Sequence, residues 1–134
     1  MSQRGFSLME LMFVVIVISI LAAVAFPQFQ RVIEQGHWRA ANDVLYTMYS
    51  GEQVFRTSNT TYVNPATCAQ PWRCIFMDDP NGVLPITFAV AGVGLNTFTA
   101  TATRNGGPCN GKTQTLDQNR TLGGTANNAT QRWC

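Results

Sequence analysis

The chain has 134 residues and a mass of 14.7 kDa, a size typical of one folded domain. Apolar residues make up 46% of it and charged residues 12%, about half the charged fraction of an ordinary soluble domain. The formal net charge of +2 is too small and too scattered for the basic surface that nucleic-acid binding requires. The apolar content also excludes a highly charged, disordered chain.

The charge deficit lies in one segment near the amino terminus. No charged residue or histidine occurs between Glu10 and Arg31, and residues 11–26 are apolar almost throughout. Counted as a helix from Phe6, the apolar stretch is about 30 Å long, the hydrocarbon thickness of a bilayer. Because Arg4 precedes it, the positive-inside rule places the amino terminus in the cytoplasm and everything after the apolar stretch outside.

Two simpler interpretations of this segment compete. A cleaved secretory signal would use Ala23 and Ala25 as a small-residue cleavage site, but the apolar run is long and Glu10 lies inside it. A plain membrane anchor leaves Glu10 unexplained. A carboxylate in a spanning helix costs about 2–3 kcal/mol, so it implies a partner.

The apolar run begins with a distinctive pattern, Arg4-Gly5-Phe6-Ser7-Leu8-Met9-Glu10-Leu11. This combination of a basic leader, a Gly-Phe junction, an isolated Glu and an apolar span resembles the class III signal of type IV pilins and the related pseudopilins. The resemblance implies that a prepilin peptidase cuts between Gly5 and Phe6 and methylates the new amine of Phe6. Residues 1–5 are then a leader peptide, and residues 6–27 form a retained transmembrane helix that enters the filament core.

Glu10 and Phe6 are the expected assembly residues. After cleavage Phe6 carries a free α-amine, and Glu10 lies four residues further along the chain. In a helical stack of subunits, the amine of one copy can pair with the carboxylate of the next. The alternative is that Glu10 snorkels to the headgroups near the end of the span.

Residues 28–134 are predicted to form the globular domain, beginning with an amphipathic helix over residues 28–56. Pro27 lacks an amide donor and is expected to kink or break the helix where its two halves join; related pilins commonly have a proline here. Charged residues interleave with apolar ones that recur at helical spacing: Phe29, Ile33, Ala40, Val44, Met48 and Phe55.

Beyond the helix the apolar pattern changes to a period of two. Leu84–Val90, Gly94–Thr103 and Lys112–Asp117 are the predicted strands, and Asn105–Pro108 is a turn signal. In the second strand, Phe98, Ala100 and Ala102 should face the core. The sequence therefore predicts an α+β fold, in which a long N-terminal helix packs on a small antiparallel sheet, as in pilins.

The four cysteines, Cys68, Cys74, Cys109 and Cys134, are an even number on the oxidising side of the membrane. Three pairings are possible. We favour Cys68 with Cys74 and Cys109 with Cys134, because the second bridge closes a polar terminal segment and resembles the C-terminal loop disulfide of many type IV pilins. Zinc is the alternative, but no pair has C-x-x-C spacing and His37 is the only histidine, so no metal site is predicted.

Catalytic and cofactor signals are weak. Asp78 and Asp79 precede Pro80-Asn81-Gly82 and indicate a turn, with a pseudopilin-like calcium loop as the alternative. No nucleophile motif, phosphate-binding glycine loop or nucleotide fingerprint occurs in the sequence. We therefore expect neither an enzyme nor a cofactor.

The resemblance implies a structural subunit of an extracellular type IV pilus, a homo-oligomeric filament that serves adhesion, twitching motility or DNA uptake. Its expected partners are further copies of itself, the prepilin peptidase, the inner-membrane assembly machinery and the membrane, with nucleic acid met only through uptake. The precursor is expected in the inner membrane and the filament at the cell surface. The alternatives are a pseudopilin of a type II secretion system and a monomeric membrane-anchored binding domain. The C-terminal cysteine and the absence of an obvious calcium loop favour the pilus.

Overall fold

The computed structural model describes residues 7–126. One helix, α1 (Leu8–Asn59), is followed by two short 3-10 turns, Pro65–Thr67 and Arg73–Ile75. Four strands complete the fold: β1 (Ile86–Ala91), β2 (Thr99–Arg104), β3 (Thr113–Asp117) and β4 (Leu122–Gly123). This order confirms the predicted α+β class.

The chain divides into two compact units, Met1–Ile33 and Glu34–Cys134, and α1 contributes residues to both. Pro27 lies inside α1, so the helix does not end there, and a local kink at Pro27 stays a prediction. The helix ends at Asn59 rather than near Arg56. The next residue, Thr60, has a φ of 59°, a left-handed conformation that commonly terminates helices.

The sheet is an antiparallel meander in the order β1-β2-β3-β4. Its register places Ala102 opposite Phe88 on one side and opposite Gln114 on the other. Three strands fall within the predicted segments or end one residue beyond them. Strand β4 was missed because two residues, one of them glycine, carry no alternating pattern.

The core of the second unit lies between α1 and one face of the sheet. Trp38, Ala41, Leu45 and Met48 recur at spacings of three and four and form the buried face of the helix. Every second residue along the strands faces inward, and Phe98 just before β2 joins them: Ile86, Phe88, Val90, Ala100, Ala102 and Leu116. The expected inward positions of β2 and the packing of the sheet on this part of the helix are thus confirmed.

The predicted apolar face of the helix was rotated from the observed one. Met48 is buried, but Ala40, Val44 and Phe55 are only half-buried, while Phe29 and Ile33 are exposed. The buried face includes Glu34 and Glu52, which hydropathy assigns to water. The prediction failed because both carboxylates are accommodated inside the second unit.

Candidate assembly site and the contacts that support it

The apolar half of α1 is uncovered. Phe13, Leu21 and Phe26 are 69%, 64% and 65% exposed, and the most apolar window of the helix has no buried residue. By length and composition, α1 is the one helix among residues 7–126 able to cross a membrane. A contiguous apolar surface of this size marks a membrane or protein contact.

Glu10 lies in the first turn of α1 and is exposed. The backbone N–H groups of Glu10 and Leu11 both donate to the carbonyl oxygen of Ser7, at 3.1 and 3.2 Å. A carboxylate in the first turn is favoured by the positive end of the helix dipole. Gly5 and Phe6, which form the predicted cleavage junction, lie outside the described residues.

Glu34 and Arg104 form a buried ion pair that links the helix to the end of β2. Arg104 Nε donates to Glu34 Oε2 at 2.9 Å, and Nη2 donates to Oε1 at 2.7 Å. The two side chains are only 3% and 6% exposed. Arg104 Nη1 also donates to the carbonyl oxygens of Pro85 and Asn105. Because the guanidinium binds both carboxylate oxygens and two carbonyls, the charges are compensated where water is excluded.

Gly107 makes room for this ion pair. A Cβ at this position would lie 2.7 Å from Glu34 Oε1 and 3.0 Å from Arg104 Nη2. Its φ of 70° is also unfavourable for side chains other than glycine's hydrogen. The predicted turn at Asn105–Pro108 therefore packs directly against the two side chains of the ion pair.

Glu52 is the second buried carboxylate, and it lacks a full set of partners. Its Oε2 accepts the backbone N–H of Val63 at 3.1 Å, whereas Oε1 has no hydrogen-bond partner. Burial raises the pKa of Glu52 to about 7, and the Val63 bond opposes that rise only partly. Glu52 thus ties the chain just after the helix back to α1.

The segment between α1 and β1 is fixed by the predicted Cys68–Cys74 disulfide, which the structure confirms. Within this bridge Trp72 is buried, and next to it Ile75 lies directly against Gly51 of α1. A Cβ on Gly51 would overlap the carbonyl oxygen of Ile75. Only glycine permits this close approach of backbone to helix.

The acidic turn residues and the second pair of cysteines are the remaining residues singled out in the sequence. Asp79 accepts the backbone N–H of Asn81 at 2.9 Å, so the turn interpretation of this segment is confirmed. Asp78 instead approaches Arg73 at 3.4 Å on the surface. Cys109 is fully buried, but Cys134 lies outside the described residues, so their pairing stays a prediction.

Sequence reasoning missed Glu34, Glu52 and Arg104. The available signal was their spacing: Glu34 and Glu52 continue the run of buried positions 38, 41, 45 and 48 at intervals of four. A charged residue in register with a buried helix face is a candidate for an internal partner.

Comparison with known proteins agrees with this architecture. A family model described as the prokaryotic N-terminal methylation motif matches residues 1–26. The type IV major fimbrial protein FimA of Dichelobacter nodosus is 35% identical over an alignment of 123 residues, and the match covers 77% of this chain and 74% of that protein. No solved structure matches the chain.

A methylation motif, a helix long enough to span a membrane and a disulfide-bonded α+β domain define the class of membrane-anchored prepilins. The chain belongs to the type IV pilin family. It is a membrane-anchored precursor that becomes a subunit of a surface pilus, and the family is structural.

Proposed function

We propose that copies of this chain pack the apolar half of α1 into the core of an extracellular pilus and carry the sheet domain on the outside. The observation that supports this is the uncovered apolar helix surface of residues 8–29. Outside lipid, such a surface is stable only against other apolar surface. A filament of identical subunits supplies that surface in every copy.

Assembly follows processing by the prepilin peptidase. In this proposal residues 1–5 are removed, Phe6 receives the methyl group, residues 6–27 form the membrane and filament-core helix, and residues 28–134 form the globular domain. The match of the methylation motif to residues 1–26 supports this division. Intact-mass analysis should find a mature chain that begins at a methylated Phe6, and Gly5→Leu should retain the leader. A mature terminus after Ala25 would refute the proposal.

The same proposal gives the subunit a non-catalytic role in adhesion, twitching motility or DNA uptake, through a pilus handled by the inner-membrane assembly machinery. The name of the Dichelobacter nodosus relative, a major fimbrial protein, favours a pilus over a secretion pseudopilus. Filaments sheared from cells should be imaged and their subunit identified by mass spectrometry. Long surface filaments of this chain support the pilus, whereas its confinement to the envelope would support the pseudopilin alternative.

The second predicted disulfide belongs to this proposal as well. Cys109 is fully buried and precedes the polar C-terminal segment, which a bridge to Cys134 would close. Non-reducing peptide mapping of filament protein should recover a Cys109–Cys134 peptide together with the Cys68–Cys74 peptide. Any crossed pairing would reject the assignment.

A further inference from the structure

Strand β1 lies at an edge of the sheet, and its own sequence lacks the residues that usually protect an edge. The opposite edge, β4, is only two residues long, whereas β1 has six. Its sequence, ITFAVA, contains no charge, proline or glycine. An edge of this length and composition is a template for pairing with another strand.

The side-chain amide of Asn81 occupies the middle of this edge. The backbone N–H of Phe88 donates to Asn81 Oδ1 at 2.7 Å, and Asn81 Nδ2 donates to the carbonyl oxygen of Phe88 at 3.4 Å. One amide therefore bonds both backbone groups of Phe88, as a residue of a neighbouring antiparallel strand would. By the alternation of strand hydrogen bonding, the backbone groups of Ile86 and Val90 face the same edge.

Asp79 holds this amide in place. Its Oδ1 accepts from the backbone N–H of Asn81 at 2.9 Å and from Asn81 Nδ2 at 2.8 Å. Because a carboxylate only accepts, it directs the NH₂ group toward itself and leaves Oδ1 of Asn81 for Phe88. Gly82, with a φ of 91°, completes the turn that presents Asn81.

We propose that Asn81, oriented by Asp79, is an edge cap that prevents β1 from pairing with β1 of a second copy. This inference rests on the filament proposed above: a second copy is the relevant partner, because such a filament gathers many identical edges. An uncharged strand can also pair antiparallel with itself. The cap leaves the apolar helix surface as the route of association and excludes the sheet edge.

The test uses the full chain in detergent micelles. Asn81→Ala should accelerate amide hydrogen exchange at Phe88 by about tenfold. It should also cause concentration-dependent self-association in sedimentation that the parent does not show. Adding Ala89→Lys to this variant places a charge on the exposed side of β1 and should restore the parent's sedimentation, since edge lysines oppose strand pairing.

Asn105→Ala is the matched control. The Asn105 side chain also bonds β1, but it donates to Thr87 Oγ1 at 2.5 Å rather than to edge backbone. This variant should leave Phe88 exchange and sedimentation unchanged. A second variant, Asp79→Ala, keeps Asn81 but removes the carboxylate that orients its amide. It should increase Phe88 exchange and self-association as Asn81→Ala does, but to a smaller extent.

Three results would overturn the edge cap. They are an Asn81→Ala protein that sediments like the parent, association that Ala89→Lys does not reverse, and equal association in Asn105→Ala. Amide hydrogen exchange at Ala102 and Leu116, inside the sheet, distinguishes general unfolding. Loss of the edge cap alone leaves these two amides protected, whereas unfolding exposes them. If Asn81→Ala unfolds, the same three criteria apply to Asp79→Ala.

Discussion

The two compact units of this pilin place apolar and charged groups in opposite ways. The first exposes its apolar side chains on all sides of the helix, and residues 11–30 carry no charge. The second buries a cluster of apolar side chains between its helix and its sheet, and with them the carboxylates of Glu34 and Glu52. The second unit therefore covers its core with its own side chains. The apolar surface of the first unit needs lipid or other subunits to cover it.

Replacing Glu10 tests the exposed unit most severely. Glu10→Ala should reduce surface filaments at least about tenfold, because the proposed partner amine of Phe6 would then be buried without a counter-charge. Filaments should be counted by electron microscopy and total subunit by immunoblot. The thermal transition of the sheet domain in detergent should match the parent.

Glu10→Gln separates charge from hydrogen bonding, because the amide keeps a carbonyl acceptor but has no negative charge. Loss of filaments in both variants supports the ion pair. Normal filament numbers from processed Glu10→Ala protein would contradict it and favour snorkelling of the carboxylate.

Removing a charge inside the second unit should act on folding instead. Arg104→Met leaves the Glu34 carboxylate buried without its partner, which should lower the free energy of unfolding by about 3–5 kcal/mol. The measurement is denaturant unfolding of the full chain in micelles, followed by tryptophan fluorescence.

Two variants control this result. Arg73→Met breaks the exposed pair with Asp78, at 3.4 Å, and should change stability by about 0.5 kcal/mol or less. Glu34→Leu combined with Arg104→Met removes both charges and should recover much of the loss. Equal effects of Arg104→Met and Arg73→Met would show that the buried pair contributes no more than a surface one.

Glu52 should make the stability of the second unit depend on pH. Its pKa is raised from 4.5 to about 7, so between these values the folded state holds a proton that the unfolded state has lost. The stability that Glu52 contributes should therefore be fully present below about pH 4.5 and be lost as pH rises through about 7. The expected slope is at most about 1.4 kcal/mol per pH unit.

Glu52→Gln is the control for that slope, since its amide oxygen still accepts the Val63 N–H without a charge. The variant should be more stable than the parent at pH 8, and its stability should vary less between pH 5 and 7, within the range set by the raised pKa. A parent-like pH profile in Glu52→Gln would assign the titration to another group.

Opening the Cys68–Cys74 bridge should cost less than breaking the buried ion pair. Its short loop limits the entropy that the bridge removes from the unfolded chain, so a Cys68→Ala/Cys74→Ala protein should lose about 2 kcal/mol. Denaturant unfolding beside the parent gives the value. A loss as large as that of Arg104→Met would mean that the bridge also holds the contact between Gly51 and Ile75.

Much of the fold could be predicted from residue periodicity. The apolar span, the amphipathic half of α1 and three strands all carry patterns that extend over several residues. The ion pair could not be predicted in this way, because Glu34 and Arg104 are 70 residues apart and meet only through the packing of β2. The buried helix face was misplaced for the same reason, since its acidic positions depend on partners elsewhere in the chain.

The proposed edge cap also combines a feature that the sequence predicts with one that depends on packing. Turn chemistry at Asp79, Asn81 and Gly82 is visible in the sequence, and the Asx-type bond is the one expected. The further bond from Asn81 to Phe88 depends on where the turn lies beside β1, which local propensity does not specify.

The Cys68–Cys74 bridge closes a ring of residues 68–74, and this ring bears on how proteolysis affects the subunit. Arg73 lies between the two bridged cysteines, and its 70% exposed side chain offers a trypsin-like enzyme its preferred residue just before the peptide bond to Cys74. A cut there would leave both ends joined through sulfur, with Trp72 still buried beside the break. A nicked subunit would remain one covalent molecule until a reductant opened it.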